Sequence, residues 1–223
     1  MDRREFLSLS LTGAVGMTAG CMGEMIEGAT TFSAVPAIVE EDALEAAGYA
    51  ERGTDWEVEQ REFHNQTVEV RNHLSEYRRT IDLPVADALE AGIFAVIASP
   101  EVGVAGEDVN PLEEAEDEEI AERVQQGYDE LTIGDEVESR TVDSLMTVEV
   151  TTYEGEATLL EAGEAGDLEL SVFVDVGSFK HEDDHLVMIG IYPDESGITI
   201  TDERGRVTTL IEGLRRDIPD EEE

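Results

Sequence analysis

The sequence predicts an α+β domain: a largely antiparallel β-sheet of hairpins and meanders, with a long mid-chain helix and a C-terminal helix packed on it. Three observations predict it. Several runs alternate apolar and polar residues with period two, as in Val68-Glu69-Val70-Arg71, the mark of a half-buried strand. One short run, Ile93–Ala98 (IFAVIA), is apolar throughout, as a strand buried on both faces requires. Two other segments carry apolar residues at helical spacing: Ile120, Val124, Tyr128 and Leu131, then Val207, Leu210, Ile211 and Leu214. Strand hairpins with a few helices between them give an α+β layout.

The elements follow in order. Phe32–Val39 is expected to be a first strand. Glu40–Ala47 (EEDALEAA) is a short helix, with acids in its first turn facing the positive end of the dipole and Gly48 at the C′ position. Glu57–Phe63 and Thr67–His73 form a hairpin around His64-Asn65-Gln66, continued by Leu74–Ile81. Pro84–Ala91 is expected to make one helical turn or two, ahead of the apolar strand. Residues 99–116, with Pro100, Gly103, Gly106 and Pro111, read as a loop. Asp117–Leu131 is the long helix, with Asp117 as its N-cap. Strands resume at Val137–Val142, Met146–Tyr153, Leu168–Phe179 and Leu186–Tyr192. Arg206–Arg216 closes the fold as a helix, with Arg215-Arg216 in its last turn, where the dipole favours cations. Residues 32–216 therefore form one domain without internal repeats, followed by an acidic tail over 217–223.

The N-terminal stretch speaks to location. Arg3-Arg4 precedes Phe6-Leu7, and a weakly apolar run to Gly20 ends in Thr18-Ala19-Gly20-Cys21. This has the form of a twin-arginine export signal closed by a lipobox. The run is rich in Ser, Thr and Gly and falls short of the roughly 20 apolar residues that span a membrane. Residues 1–20 are thus expected to be a leader, and 21–31 a lipidated Cys21 with a short tether. The expected location is the outer face of the cytoplasmic membrane, with lipid on Cys21 as the membrane partner. Cys21 is the only cysteine, so no internal disulfide and no cysteine nucleophile are expected.

Composition excludes some partners. The chain has 223 residues and a formal charge of −41, with 55 Asp+Glu against 14 Lys+Arg. Lys180 is its one lysine. Leu, Ile, Val and Phe are patterned and make up about a quarter of the chain, above the roughly 20% level that marks disorder. No basic stripe exists to meet phosphates, so nucleic acid is not expected as a ligand. Carboxylates at this density repel one another in ordinary buffer. At molar salt the Debye length falls to about 3 Å and that repulsion is screened. The acid excess with little lysine resembles proteins of extreme halophiles.

His181-Glu182-Asp183-Asp184-His185 matches H-E-x-x-H letter for letter. In a zinc peptidase the two histidines lie at i and i+4 on one helix face, with the Glu as general base. Here β-rich runs flank the motif, so it reads as a hairpin loop. No metal or other cofactor is expected; were a metal bound, His181, Glu182 and His185 would be the residues to hold it. His64 and His73 are expected to be surface or half-buried strand residues. Tyr49, Trp56, Tyr77, Tyr128, Tyr153 and Tyr192 belong first to the core. No calcium loop, P-loop, dinucleotide fingerprint or Gly-x-Ser-x-Gly motif is present. Asn65-Gln66-Thr67 is a sequon on an expected turn, so Asn65 is expected to be an N-glycosylation acceptor.

Several short motifs in fixed order carry a resemblance. They are the Arg-Arg signal, Ala19-Gly20-Cys21, Phe32 to Pro36-Ala37, Ala47-Gly48-Tyr49, Ser99-Pro100, Asn110-Pro111 and Gly190-Ile191-Tyr192-Pro193. Together they resemble a family of haloarchaeal twin-arginine lipoproteins with a domain of unknown function. The layout is also distantly similar to the Mog1/PsbP-type sandwich, whose members serve mainly as accessory or binding modules. The family brings no known activity with it. With no catalytic constellation in the chain, the expected role is a non-enzymatic, lipid-anchored surface domain that binds a ligand or a protein partner in the membrane or envelope. Two alternatives stay open: a zinc hydrolase using the HEDDH segment, and a solute- or cation-binding lipoprotein.

Overall fold

The computed structural model describes residues 29–63, 66–83, 86–104, 107–108, 115–127, 131–159, 168–194 and 202–217. Arg3, Arg4, Cys21, His64, Asn65, Tyr128 and the tail over 218–223 lie outside the described residues. An eight-stranded sheet dominates, with strand order β1-β4-β5-β11-β10-β9-β8 and β3 added against β4. Its strands are β1 (Ala29–Ser33), β3 (Ala50–Phe63), β4 (Gln66–Leu83), β5 (Ala86–Pro100), β8 (Leu131–Asp143), β9 (Thr147–Leu159), β10 (Leu168–His181) and β11 (Asp184–Pro193). A second, two-stranded sheet joins β2 (Ala37–Val39) to β12 (Leu214–Arg216). A small ribbon pairs β6 (Gly103–Val104) with β7 (Glu107–Asp108). Three helices complete the fold: α1 (Glu41–Ala47), α2 (Asp117–Gly127) and α3 (Glu203–Glu212).

The sheet is mixed, because β1 runs parallel to β4 while the other pairs are antiparallel. A strand has two edges. β3 covers one edge of β4 from Gln66 to Arg78, so β1, beside residues 67–71, shares the other edge with β5, which pairs from His73 onward.

Each face of the sheet buries its own cluster. Tyr77, Phe94, Val96, Leu186, Met188 and Tyr192 pack against Val207, Leu210 and Ile211 of α3 and Ala47 of α1. On the opposite face Ile97, Val174, Val176, Val187 and Ile189 pack against Ile120, Ala121 and Val124 of α2. β11 is buried along its whole length. The apolar run Ile93–Ala98 lies in β5 beside it, as a doubly covered strand must.

Several expectations are corrected. The mid-chain helix is not long: α2 stops at Gly127, and Leu131 opens β8. The side chain of Gln125 accepts the Ile133 backbone N–H at 2.6 Å, tying the helix to the strand that follows. Asp117 is the first helical residue rather than a cap, and its carboxyl accepts the Thr151 hydroxyl at 2.6 Å. Ala86–Ala91 is strand, because β5 pairs back onto β4 from Ala86↔Leu83 outward and cross-strand pairing overrides local helix propensity. Within residues 99–116, β5 continues through Pro100 and the β6–β7 ribbon follows. The first strand divides into β1 and β2 around Pro36, and begins at Ala29, inside the expected tether. The last helix ends at Glu212; Arg215 and Arg216 belong to β12, paired with Ile38 and Ala37. Gly48 does cap α1, at φ 72°, donating its N–H to the carbonyls of Leu44 and Glu45. Among the described residues no helix is long and apolar enough to cross a membrane.

Candidate functional site

The HEDDH segment is a tight hairpin turn. His181 and Asp184 are the last paired residues of β10 and β11, and Glu182 sits in the turn at φ 56°. Register then decides the chemistry. Side chains alternate faces along a strand. His181 shares a face with Phe179 and the α3-side cluster, whereas His185 shares a face with Val187, Ile189 and the α2-side cluster. The two imidazoles are on opposite faces of the sheet and cannot meet one ion. The zincin arrangement of His181, Glu182 and His185 is therefore absent. Among the described residues no group of three His, Cys, Asp or Glu is placed to hold a metal.

The same turn anchors a basic corner on the α3-side face. Asp184 is buried and accepts the Val35 backbone N–H at 2.8 Å on Oδ2. Arg216 of β12 donates to that oxygen through Nη2. Burial raises the Asp184 carboxyl above its usual range, although Val35 and Arg216 pull it down. Next along the face lie Arg71 and His73 of β4, with Trp56 of β3 paired to His73. The Arg71 guanidinium stacks 4.5 Å from the centre of the Trp56 ring. Trp56 is 58% exposed, so the pair presents a flat surface to solvent. His73 is held below its usual pKa by burial, then by the charges of Arg71 and Arg216.

This corner contains polar atoms without partners. The Arg216 side chain is only 5% exposed, yet its Nε and Nη1 have no hydrogen-bond acceptor. Arg71 Nε and His181 Nδ1 are likewise buried and unpartnered. On the other face, His185 is buried with neither ring nitrogen bonded, and burial, then Lys180, keeps its pKa low.

A second polar group lies under the N-terminal end of α3. Asp175, 2% exposed, accepts both Arg140 terminal nitrogens at 3.1 and 2.6 Å, the Thr152 hydroxyl at 2.7 Å and the Tyr192 hydroxyl at 3.2 Å. Nearby, buried Glu203 pairs with Arg79 and, at 3.7 Å, with Arg206. Burial, then the Asp175 charge, drives the Tyr192 hydroxyl far above its ordinary pKa, so it stays a donor.

Of the aromatic residues, Tyr49, Tyr77, Tyr153 and Tyr192 are core and Trp56 is not. Neither Arg71–Trp56 nor Arg216–Asp184 was expected from sequence. The available signal was scarcity: with only 14 basic residues in the chain, each one that is buried needs a reason. No curated protein matches the chain. A domain model matches residues 36–215, from the strand that carries Ala37 to the strand that carries Arg216's neighbour Arg215. The chain belongs to the family of that model, the DUF6517 domain of unknown function.

Proposed function

We propose that this chain is an exported lipoprotein of a halophilic archaeal cell surface, anchored through Cys21 after twin-arginine export, and that its domain is a non-enzymatic binding or accessory module. The observation that carries the binding role is the basic corner: an exposed tryptophan stacked by an arginine, beside a buried arginine with unpartnered donors, in a chain of charge −41. Exposed aromatic and arginine side chains together are the usual anchors of recognition surfaces. The separation of His181 from His185 weighs against a zinc hydrolase. Helices on both faces of the sheet support a distant kinship with the Mog1/PsbP-type sandwich. Seven residues, 22–28, separate Cys21 from β1 and reach at most about 25 Å. An anchored domain would therefore work close to the membrane surface. A single acyl chain holds a protein only marginally and two hold it stably, so a two-chain lipid is expected on Cys21.

Native mass spectrometry of protein purified from its own membrane at molar salt tests the reading. The expected result is lipid on Cys21 and a co-purifying partner. Cys21→Ser should release the protein from the membrane, and Arg3-Arg4→Lys-Lys should trap the precursor inside. Normal export and anchoring of both variants would remove the lipoprotein reading. A stoichiometric zinc lost on His185→Ala would restore the hydrolase.

A further inference from the structure

We propose that the corner formed by Arg71, Trp56, His73 and Arg216 is a binding site for a ring-borne monoanionic carboxylate. This rests on the reading of the domain as a binding module and names the chemistry of its ligand. Buried donors without acceptors are the first observation. Arg216 Nε and Nη1 and Arg71 Nε are all shielded from solvent and unbonded. An unsatisfied buried polar group is costly, more so when charged, so a fold keeps several together only where something else satisfies them. Ordered water can fill that role. At two guanidiniums an anion fills it with shorter, charge-assisted hydrogen bonds.

Placement is the second observation. Trp56↔His73 and Val58↔Arg71 are cross-strand partners, so Trp56, Arg71 and His73 share one face at one end of the sheet. Asp184 shares that face through Pro100 and Leu186↔Ala98↔His73. It fixes Arg216 over the same end from the β2–β12 layer. Both Arg71 and Arg216 are close enough to His73 to disfavour its protonation. The guanidiniums therefore flank a neutral imidazole, which adds a donor or acceptor without further charge.

Charge selects the ligand class. Arg71 and Arg216 against the Asp184 carboxylate leave one net positive charge among these three groups; Glu69, two residues before Arg71 on the same face, is engaged by Thr31 and Gln60, and Asp183 stands exposed in the turn beyond. That balance suits a monoanion and disfavours a phosphate dianion beside Asp184. The Trp56 surface left uncovered by Arg71 gives a ring somewhere to lie. A carboxylate on a flat or saturated ring meets both demands; a free acetate meets one.

Trp56 is the chain's single tryptophan, so the site carries its own reporter. The test is a fluorescence titration of the whole mature protein at fixed molar potassium chloride. The probes are glucuronate, neutral glucose and inorganic phosphate. The expected result is a saturable change in emission with glucuronate, none with glucose, and at least tenfold weaker response to phosphate. Arg71→Gln and Arg216→Gln should each weaken glucuronate at least tenfold, with circular dichroism confirming the fold. His185→Gln, on the opposite face, should leave it unchanged. Where Arg216→Gln fails to fold, Arg71→Gln alone decides. No saturable response, equal response to glucose, or full affinity in Arg71→Gln would overturn the proposal, and tighter phosphate would overturn the monoanion assignment. A lipid-anchored protein that co-purifies with a partner but ignores glucuronate would refute this site and leave the proposed function standing.

Discussion

Two buried ionic groups of this domain are built oppositely. Under α3, Asp175 has both oxygens filled by Arg140, Thr152 and Tyr192, all fixed on neighbouring strands of the main sheet. At the hairpin-turn corner, Arg216 spends one nitrogen on Asp184 and keeps two unpartnered, and it sits on a three-residue strand outside the main sheet. Arg140 leaves only Nε unbonded. A buried ion pair whose polar atoms are nearly all satisfied makes its part of the core rigid and specific. One that leaves donors open on a peripheral element is placed to accept a ligand. The contrast teaches that burial of charge alone does not separate structure from function; the count of unmet donors and the place of their carrier, inside or outside the main sheet, do.

The sharpest way to break this contrast is to remove each acid. Asp175→Ala strands the Arg140 charge inside the sheet and should cost about 3–5 kcal/mol, read from urea unfolding at molar salt. Asp184→Ala should cost clearly less, about 1–2 kcal/mol, because Arg216 sits on a short peripheral strand rather than inside the main sheet. Equal losses would erase the distinction. Gly190→Ala comes next. A Cβ there would meet Val207 Cγ1 of α3 at 2.8 Å. Overpacking of this kind costs about 1–3 kcal/mol, and a thermal shift toward lower melting temperature should report it.

Acid sharpens the comparison from another side. His73 and His185 both lie at the hairpin-turn end, and burial keeps each pKa below the ordinary 6.5. The folded chain resists a proton that the unfolded chain accepts. Their contribution is therefore intact above about pH 6.5 and is lost as pH falls through the folded-state values. Stability should drop between pH 7 and 5. His185→Leu should flatten that slope while the α3 end is unaffected. An unchanged slope would place the acid sensitivity elsewhere. The smallest effect belongs to Trp56→Ala, which should alter stability by less than about 0.5 kcal/mol because the ring is mostly exposed.

Local signals proved legible where the chain decides locally. The β3–β4 hairpin, the strand at Ile93–Ala98, the Gly48 cap of α1 and the HEDDH turn follow from period, turn residues and backbone freedom. Segments with conflicting local and cross-strand preferences were misread. Ala86–Ala91 is rich in helix formers yet pairs with β4. Leu131 fits the helical stripe yet begins β8 against Ala157 of β9. Arg215-Arg216 suits a helix C-terminus yet follows Gly213 into a strand against Ala37–Val39.

By itself, then, the sequence determined the α+β class, the strand-rich core and the acid excess. Tertiary structure alone decided that His181 and His185 part to opposite faces, that Arg216 reaches Asp184, and that Arg71 covers Trp56. The physical reason is range. Periodicity and capping act over a few residues, whereas these contacts depend on register between strands and on a crossover from β12 to β2. Shifting any one of these strands by one residue would turn its own side chains to the other face and break the contacts they make.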